Sequence, residues 1–420
     1  MAGNAGPGAS MKRYAVGGAV RDRLLGLPVK EKDWVVIGAT PEDMTRAGYK
    51  PVGKDFPVFL HPETREEHAL ARTERKSGRG YQGFTFHTGA DVTLEDDLKR
   101  RDLTINAIAE SDDGAIVDPH GGRRDLEARV LRHVSPAFAE DPVRVLRVAR
   151  FHARFAPLGF RIAADTLALM KRMVASGEVD ALVPERVWQE TARALMYDRP
   201  STFLATLREC GALARVMPEL DALYGVPQRA DYHPEVDTGI HIEMCVDAAA
   251  AMSAPLEVRA AVLLHDLGKA LTPKAELPKH HGHDARGVPL VEQFCERLRL
   301  PSACRDLAVI VTREHIVAHL TRELRAGTLL ELLERMDAIR RPERFELALA
   351  ACVCDARGRT GHEQDDYQPV AALREARTAA AAVSARELVR EGFADAALGV
   401  ELRDRQLRAL TELKKTWERQ

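Results

Sequence analysis

The sequence predicts an α+β protein: a mixed sheet occupies the N-terminal part, and all-helical segments follow it. Short strand-like runs bounded by glycine and proline recur in the first part of the chain, at 13–16, 34–37, 58–60 and 68–71. Beyond Glu140 the apolar residues recur at helical spacing instead. The 420 residues, 45% apolar and 30% charged, suffice for two to four domains with cores of their own.

The stretch 16–37, VGGAVRDRLLGLPVKEKDWVVI, carries the first chemistry. It predicts a strand over 13–16, a turn at Gly17-Gly18, a short helix over 19–25 closed by Gly26, and a second strand over 34–37. A glycine pair between strand and helix lets an anionic group approach the backbone while free N–H groups point at it, which makes a phosphate seat. Extended backbone from Glu31 puts Glu31 and Asp33 on one side of the sheet. Two such carboxylates suit Mg²⁺ held together with substrate phosphates, and the combination reads as two-metal nucleotidyl transfer. The same residues also read as a plain turn and two solvated acids before a core strand.

Thr40, Pro41, Glu42 and Asp43 predict a capped helix ending at Gly48. The segment 72–81, RTERKSGRGY, places Arg72, Arg75, Lys76 and Arg79 in a glycine-containing loop able to close over a triphosphate or touch an RNA backbone, or else in an exposed hairpin. Glu74 within it is a candidate third carboxylate. A helix starts at Thr93, with Asp96 in the capping-box position, and LEDDLKRRDLTINAIAE reads as one helix with Leu98, Ile105, Ile108 and Arg101 on a single stripe. A guanidinium on an apolar stripe needs an anion or must snorkel to the edge, and Asp102 beside it offers an acceptor for a ribose hydroxyl. VDPHGGRRDLE reads as a turn. Glu140-Asp141-Pro142 then opens a helix whose Arg144, Arg147, Arg150 and Arg154 share one side, predicted to meet phosphates, while Val145, Val148 and Ala149 pack on the other. Asp141 equally reads as the cap before Pro142.

Histidines gather later in the chain. His233 and His241 precede LLHDLGK with His265 and Asp266, PKHHGHD supplies His280, His281 and His283, and Asp355 follows Cys354. Imidazoles and carboxylates from separate helices can assemble a divalent metal site that activates water on a phosphoester. The six cysteines show no C-x-x-C spacing and read as free thiols in a reducing cytosol. Residues 1–10 lack the apolar core of a signal peptide, and no apolar run reaches spanning length, so a soluble cytoplasmic protein with no membrane partner is expected. A net charge of −2 leaves no global basic excess, so a polyanionic partner must be met by local cation clusters.

On GGAVRD, E-x-D before WVV, RRD-x-x-x-N, EDxxR and the H…HD…D pattern, the chain from residue 11 onward resembles the bacterial CCA-adding enzymes. These are tRNA nucleotidyltransferases of the DNA polymerase β-like superfamily, here in the long form with an HD phosphohydrolase domain. The resemblance implies a polymerase β-like head (11–139), a helical neck and body binding nucleotide and tRNA (140–230), an HD domain (231–365) and closing helices (366–420) after a flexible extension (1–10). It implies catalysis by Glu31 and Asp33 with Mg²⁺, and nucleotide contacts from Gly18, Arg21, Arg101, Asp102 and Asn106. Asp141 and Arg144 would pair with the incoming base, and Arg147 and Arg150 would hold triphosphate or helix geometry. His241, His265, Asp266 and Asp355 would hold a transition metal such as Ni²⁺, with His265 and Asp266 catalytic, and His280, His281 and His283 would serve a second metal or the phosphate. The implied substrates are tRNA, CTP and ATP, with phosphatase, 2′-nucleotidase and 2′,3′-cyclic phosphodiesterase activities in the HD domain and a monomer or weak homo-oligomer in solution. A poly(A) polymerase-like enzyme and an HD phosphohydrolase with an RNA-binding head are the alternatives. The family has Asp-x-Asp where this chain has Glu31-x-Asp33, and the extra methylene moves the oxygen by about 1.5 Å if nothing compensates.

Overall fold

A computed structural model describes residues 11–29, 31–52, 58–76, 84–87 and 91–418. Its first strands are β1 (Lys12–Val16), β2 (Asp33–Ile37), β3 (Lys50–Pro51), β4 (Val58–Leu60) and β5 (Glu67–Leu70). With β6 (Thr73–Lys76) and β7 (Phe84–His87) set aside as a separate pair, β8 (Ala109–Ser111) and β9 (Ile116–Val117) complete a seven-stranded sheet ordered β3-β4-β5-β2-β1-β8-β9. The sheet is mixed, as predicted, because β2 runs antiparallel to β1 and parallel to β5. The run Val35-Val36 is apolar on consecutive residues because both sheet faces are covered. Val35 packs with Val16, Leu94 and Leu98, and Val36 packs with Met44, Phe59 and Leu70.

The capping signals hold. Thr40 and Asp43 form a reciprocal box at the start of α2 (Pro41–Arg46), which follows α1 (Gly18–Leu24), and Thr93 and Asp96 do the same for α3 (Leu94–Lys99). Two local expectations are corrected, and one left open is decided. The helix predicted through Ile108 stops at Arg100: Thr104 N–H donates to the Arg132 carbonyl at 2.9 Å, Leu103 bridges His133, and the Asp102 carboxylate takes the Leu103 N–H at 2.8 Å. These contacts outcompete i→i−4 bonding. The cationic loop is in part a hairpin, since β6 pairs with β7 in register Thr73↔His87 through Lys76↔Phe84, joining a threonine and two phenylalanines of high strand propensity. Arg79 lies outside the described residues, as do the side chains of Glu74, Arg75 and Lys76. The turn near Asp118 contains a short helix, α4 (Gly122–Glu127), whose first N–H groups are taken by the Asp118 carboxylate.

The helix α5 (Val143–Phe155) buries Val145, Leu146, Val148 and Ala149, and α6 (Ala164–Ala175) follows. The chain divides into two compact units at Val183–Pro184, with Glu209–Arg215 returning to the first. The segment 140–230 is therefore shared: α5 and α6 belong to the first unit and α7 (Pro184–Leu195) to the second. Then come α8 (Ser201–Glu209), α9 (Leu213–Val216) and α10 (Pro218–Asp221). The histidine-bearing part consists of α11 (Thr238–Ala251), α12 (Leu256–Leu264), α13 (His283–Arg297), α14 (Ser302–His319), α15 (Ala326–Arg335) and α16 (Pro342–Arg357). The expected closing helices are α17 (Pro369–Ala381), α18 (Ala385–Arg390) and α19 (Asp395–Trp417).

Candidate active sites

In the first unit the β-ladder assembles the site. Val16, the last residue of β1, pairs with Asp33, the first of β2, so the glycine pair begins one residue beyond the position facing Asp33. On its other side Asp33 pairs with Glu67 in the parallel ladder. Side chains in register on adjacent strands share a face. Register thus puts Glu67, an acid the sequence reading missed, on the face of Asp33 at the strand end, with Glu31 exposed just before it. The signal was present: a second acid opens the strand after Arg65-Glu66, as one opens β2. Although Asp33 is solvent-accessible, desolvation around its carboxyl raises its pKa, Arg101 opposes this and Glu31 adds to it. A bound cation would relieve this desolvation and repulsion.

Arg101 supplies the opposite charge. Its guanidinium donates to Asp97, 3.1 Å away, and lies where a Cβ on Gly17 would come within 3.0 Å of Nη1. Asp97 is fully buried and also bound by Arg100 at 2.8 Å. Burial pushes its carboxyl up, but the two arginines outweigh that and hold it below the usual range. Two guanidiniums on one carboxylate leave a net positive charge beside the glycine turn. Gly17 has φ 69° and ψ −125°, a conformation costly to any residue with a Cβ. Gly17→Ala is therefore expected to lower stability by about 1–3 kcal/mol, read from a denaturation midpoint, and to raise KM for a nucleoside triphosphate because Arg101 must move.

The other nucleotide candidates are largely committed to one another. Arg21 is 3% exposed, beneath the Phe151 and Phe155 rings of α5, and donates to Asn106 Oδ1 at 2.5 Å and to Asp22. Asn106 donates to Asp102 Oδ1 at 2.9 Å, and Arg147 Nε donates to Asp102 Oδ2 at 2.7 Å. Burial pushes the Asp102 carboxyl up, yet Arg147 and Asn106 hold it well below its ordinary value. Arg154 pairs with Asp22 at 2.8 Å. The predicted phosphate-facing side of α5 is corrected accordingly. Arg144 and Arg150 are buried, Arg144 donating to the carbonyls of Ala137 at 2.8 Å and Arg100 at 2.6 Å, while Arg147 and Arg154 meet carboxylates of the same unit. Asp141 Oδ1 accepts the Val143 N–H at 3.0 Å, as a cap does.

In the second unit His241, His265, Asp266 and Asp355 converge, all buried. His241 Nε2 lies 3.1 Å from Asp355 Oδ1, and His265 Nε2 lies 3.4 Å from Asp266 Oδ2. His283 Nε2 joins at 3.2 Å from Asp266 Oδ1, whereas His280 is bonded to Thr272 and the Pro227 carbonyl and His281 is exposed. Two histidines the sequence reading missed complete the cluster. His315 Nε2 lies 3.6 Å from Asp266 Oδ1 and His319 Nε2 lies 2.7 Å from Asp355 Oδ2. Their spacing in HIVAH, one helical turn apart on α14, was the available signal.

The cluster fits a divalent cation. The Nδ1 atoms of His265, His283 and His315 each face a backbone carbonyl, at 2.7, 2.7 and 3.0 Å, which turns Nε2 inward. His265 Nε2 and both Asp266 oxygens are buried without hydrogen bonds, although Lys269 Nζ forms an ion pair with Asp266 Oδ2 at 2.6 Å. Burial pushes both carboxyls up. His265 and Lys269 beside Asp266, and His319 and His265 beside Asp355, outweigh it and keep both well below the carboxylate range. A cavity of about 810 Å³ reaches the cluster at His283 and His319, lined also by Tyr232, Lys269, Arg359 and Tyr367, so cations and aromatic rings stand where a phosphoester would enter.

Over 409 residues, 97% of this chain and 99% of its relative, the sequence is 61% identical to the multifunctional CCA protein of Alkalilimnicola ehrlichii. The chain belongs to the multifunctional CCA protein family. The family's protein from Thioalkalivibrio sulfidiphilus is 60% identical over 97% of this chain and 100% of its own length. Residues 13–132 match the poly A polymerase head domain, 159–224 the probable RNA- and SrmB-binding site of polymerase A, and 238–356 the HD domain. The fold is shared with the Bacillus stearothermophilus CCA-adding enzyme in complex with CTP, at TM-score 0.62 and 23% identity over 98% of this chain and 95% of that one. It is shared too with the Thermotoga maritima CCA-adding enzyme complexed with tRNA, at TM-score 0.61 and 21% identity over 95% and 87%. This membership makes the protein a CCA tRNA nucleotidyltransferase with an HD domain of the metal-dependent phosphohydrolase class.

Proposed function

We propose that the head domain rebuilds the 3′-terminal CCA of tRNA from CTP and ATP without a template, and that the HD domain hydrolyses phosphomonoesters, 2′-nucleotides and 2′,3′-cyclic phosphates. The observation that carries the first reading is the ladder register setting Asp33 between Val16, at the glycine turn, and Glu67. Asp33, Glu67 and Glu31 would hold Mg²⁺, which supplies charge neutralisation at the triphosphate and activation of the tRNA hydroxyl when bound. Gly17 and Gly18 let the triphosphate approach the backbone, and Arg101 faces its charge. Asp102, held ionised by Arg147, offers an acceptor to the ribose. His241, His265, Asp266 and Asp355 would hold a transition metal such as Ni²⁺ in the second site, with His283 and His315 facing the other Asp266 oxygen. Lys269 and Arg359 line the cavity there and would face an anionic ester.

The direct test is incubation of a tRNA lacking its 3′ CCA with CTP and ATP, with product length read at single-nucleotide resolution. Addition of C, C and A followed by arrest is expected. Continued addition of A would favour a poly(A) polymerase, and no extension by the folded protein would sink the reading.

We assign base choice to Asp141 and Arg144, which requires Arg144 to exchange its bonds to the Ala137 and Arg100 carbonyls for the base. Asp141→Ala is expected to cost about 1 kcal/mol of stability through the lost cap. It should also weaken discrimination between CTP, ATP and the other nucleotides, each lost partner weighing roughly 1–3 kcal/mol. Denaturation and incorporation assays on the one variant separate the effects, and unchanged selectivity would reduce Asp141 to a cap.

A further inference from the structure

The histidine-aspartate cluster contains one donor outside the H…HD…D pattern. Cys245 follows His241 by one turn of α11, which puts both on the same helix face. It is fully buried, with Sγ 3.4 Å from His241 Nε2, and its sulfur, a His241 nitrogen and an Asp355 oxygen lie within 4.8 Å of one another. Gly358 leaves the room for it: a Cβ there would overlap the sulfur. Independently, His265 Nε2 and both Asp266 oxygens, buried and without hydrogen bonds apart from the Lys269 ion pair on Asp266, belong to ligand groups that share His241 and Asp355 with that of Cys245. The other thiols of this region differ, since Cys354 Sγ faces Met252 Sδ at 3.7 Å and belongs to none of the ligand groups.

We propose that Cys245 is a metal ligand of the HD centre and sets its preference for thiophilic divalent ions. The inference rests on the metal-binding reading of that centre. Nitrogen and oxygen donors alone accept Mn²⁺ and Zn²⁺ by their general affinity order, and a thiolate shifts the choice toward Zn²⁺ and Co²⁺ because sulfur bonds poorly to hard ions. As the sulfur–metal bond forms the S–H bond breaks, and the proton is released to solvent.

Cobalt titration of the chelator-treated full-length protein tests this without any activity measurement. Wild type is expected to bind Co²⁺ with a near-ultraviolet sulfur-to-cobalt charge-transfer band. Cys245→Ser and Cys245→Ala should keep the visible cobalt bands and lose the charge-transfer band, while Cys354→Ser keeps both. In competition between equal Zn²⁺ and Mn²⁺, the bound ratio should fall by about tenfold or more in Cys245→Ser. Cobalt-loaded wild type without the band, or a Cys245→Ser ratio equal to wild type, overturns the role of Cys245 alone. Failure of wild type to bind any cobalt overturns the metal reading of the cluster, and the inference with it.

Discussion

Asp33→Ala is expected to abolish nucleotide addition, by on the order of 10³-fold or more, in a protein that remains folded. Asp33 opens β2 at the strand's solvent-accessible end, so its removal opens no core cavity. Its carboxyl has a raised pKa, by desolvation first and then by Glu31. The sign follows directly: an acid whose pKa is higher in the folded state is destabilised as a carboxylate. Ionised Asp33 therefore works against folding near neutral pH, and alanine relieves that cost. Circular dichroism and thermal melting should show an unchanged or slightly firmer fold beside a dead head. Glu67→Ala should fall in the same direction, because Glu67 is the ladder partner of Asp33. Glu31→Asp should be tolerated or should improve the rate, since a shorter acid restores the family's geometry. Near-normal turnover by a folded Asp33→Ala protein would remove the ladder end from the chemistry.

The second large effect concerns the independence of the two centres. His265→Ala combined with Asp266→Ala is expected to eliminate hydrolysis of 2′,3′-cyclic phosphates and to leave CCA addition intact, while Asp33→Ala does the reverse. The donor sets differ in kind, carboxylates alone in the head and imidazoles with carboxylates in the HD domain, so Ni²⁺, Co²⁺ or Mn²⁺ should stimulate the hydrolase more than Mg²⁺. His265 and Asp266 are buried, and losing Asp266 leaves Lys269 without its 2.6 Å ion-pair partner, which alone costs stability. His265→Gln with Asp266→Asn, which preserves side-chain volume, keeps the test clean. Wild-type phosphodiesterase activity in either double variant under saturating metal would reduce the cluster to a structural feature. Loss of nucleotide addition in a normally folded one would mean that the centres depend on each other.

The elements readable in advance are those whose causes lie within a few residues. The glycine turn after β1, the reciprocal caps at Thr40 and Thr93, the proline-initiated α5 and the adjacent His265-Asp266 all follow from local sterics, hydrogen-bond competition and periodicity. The mixed sheet followed by helices was legible for the same reason. What local rules could not supply was the partner of each group. The helix after Thr93 stops because backbone groups at 102–104 find Arg132 and Val134, and no propensity at Arg100 announces it. Arg21 reads as an anion contact and is instead buried under two phenylalanines, bonded to an asparagine 85 residues later. Likewise Glu67 becomes the neighbour of Asp33 only through strand register, and His315 and His319 reach Asp266 and Asp355 only because α14 packs beside the α12 end that carries His265. Sequence by itself determined which turns, caps and ligand types exist in this chain. Tertiary structure decided which charges are spent on one another inside it and which converge in the buried histidine-aspartate cluster, because a long side chain has several acceptors in reach and only packing selects among them.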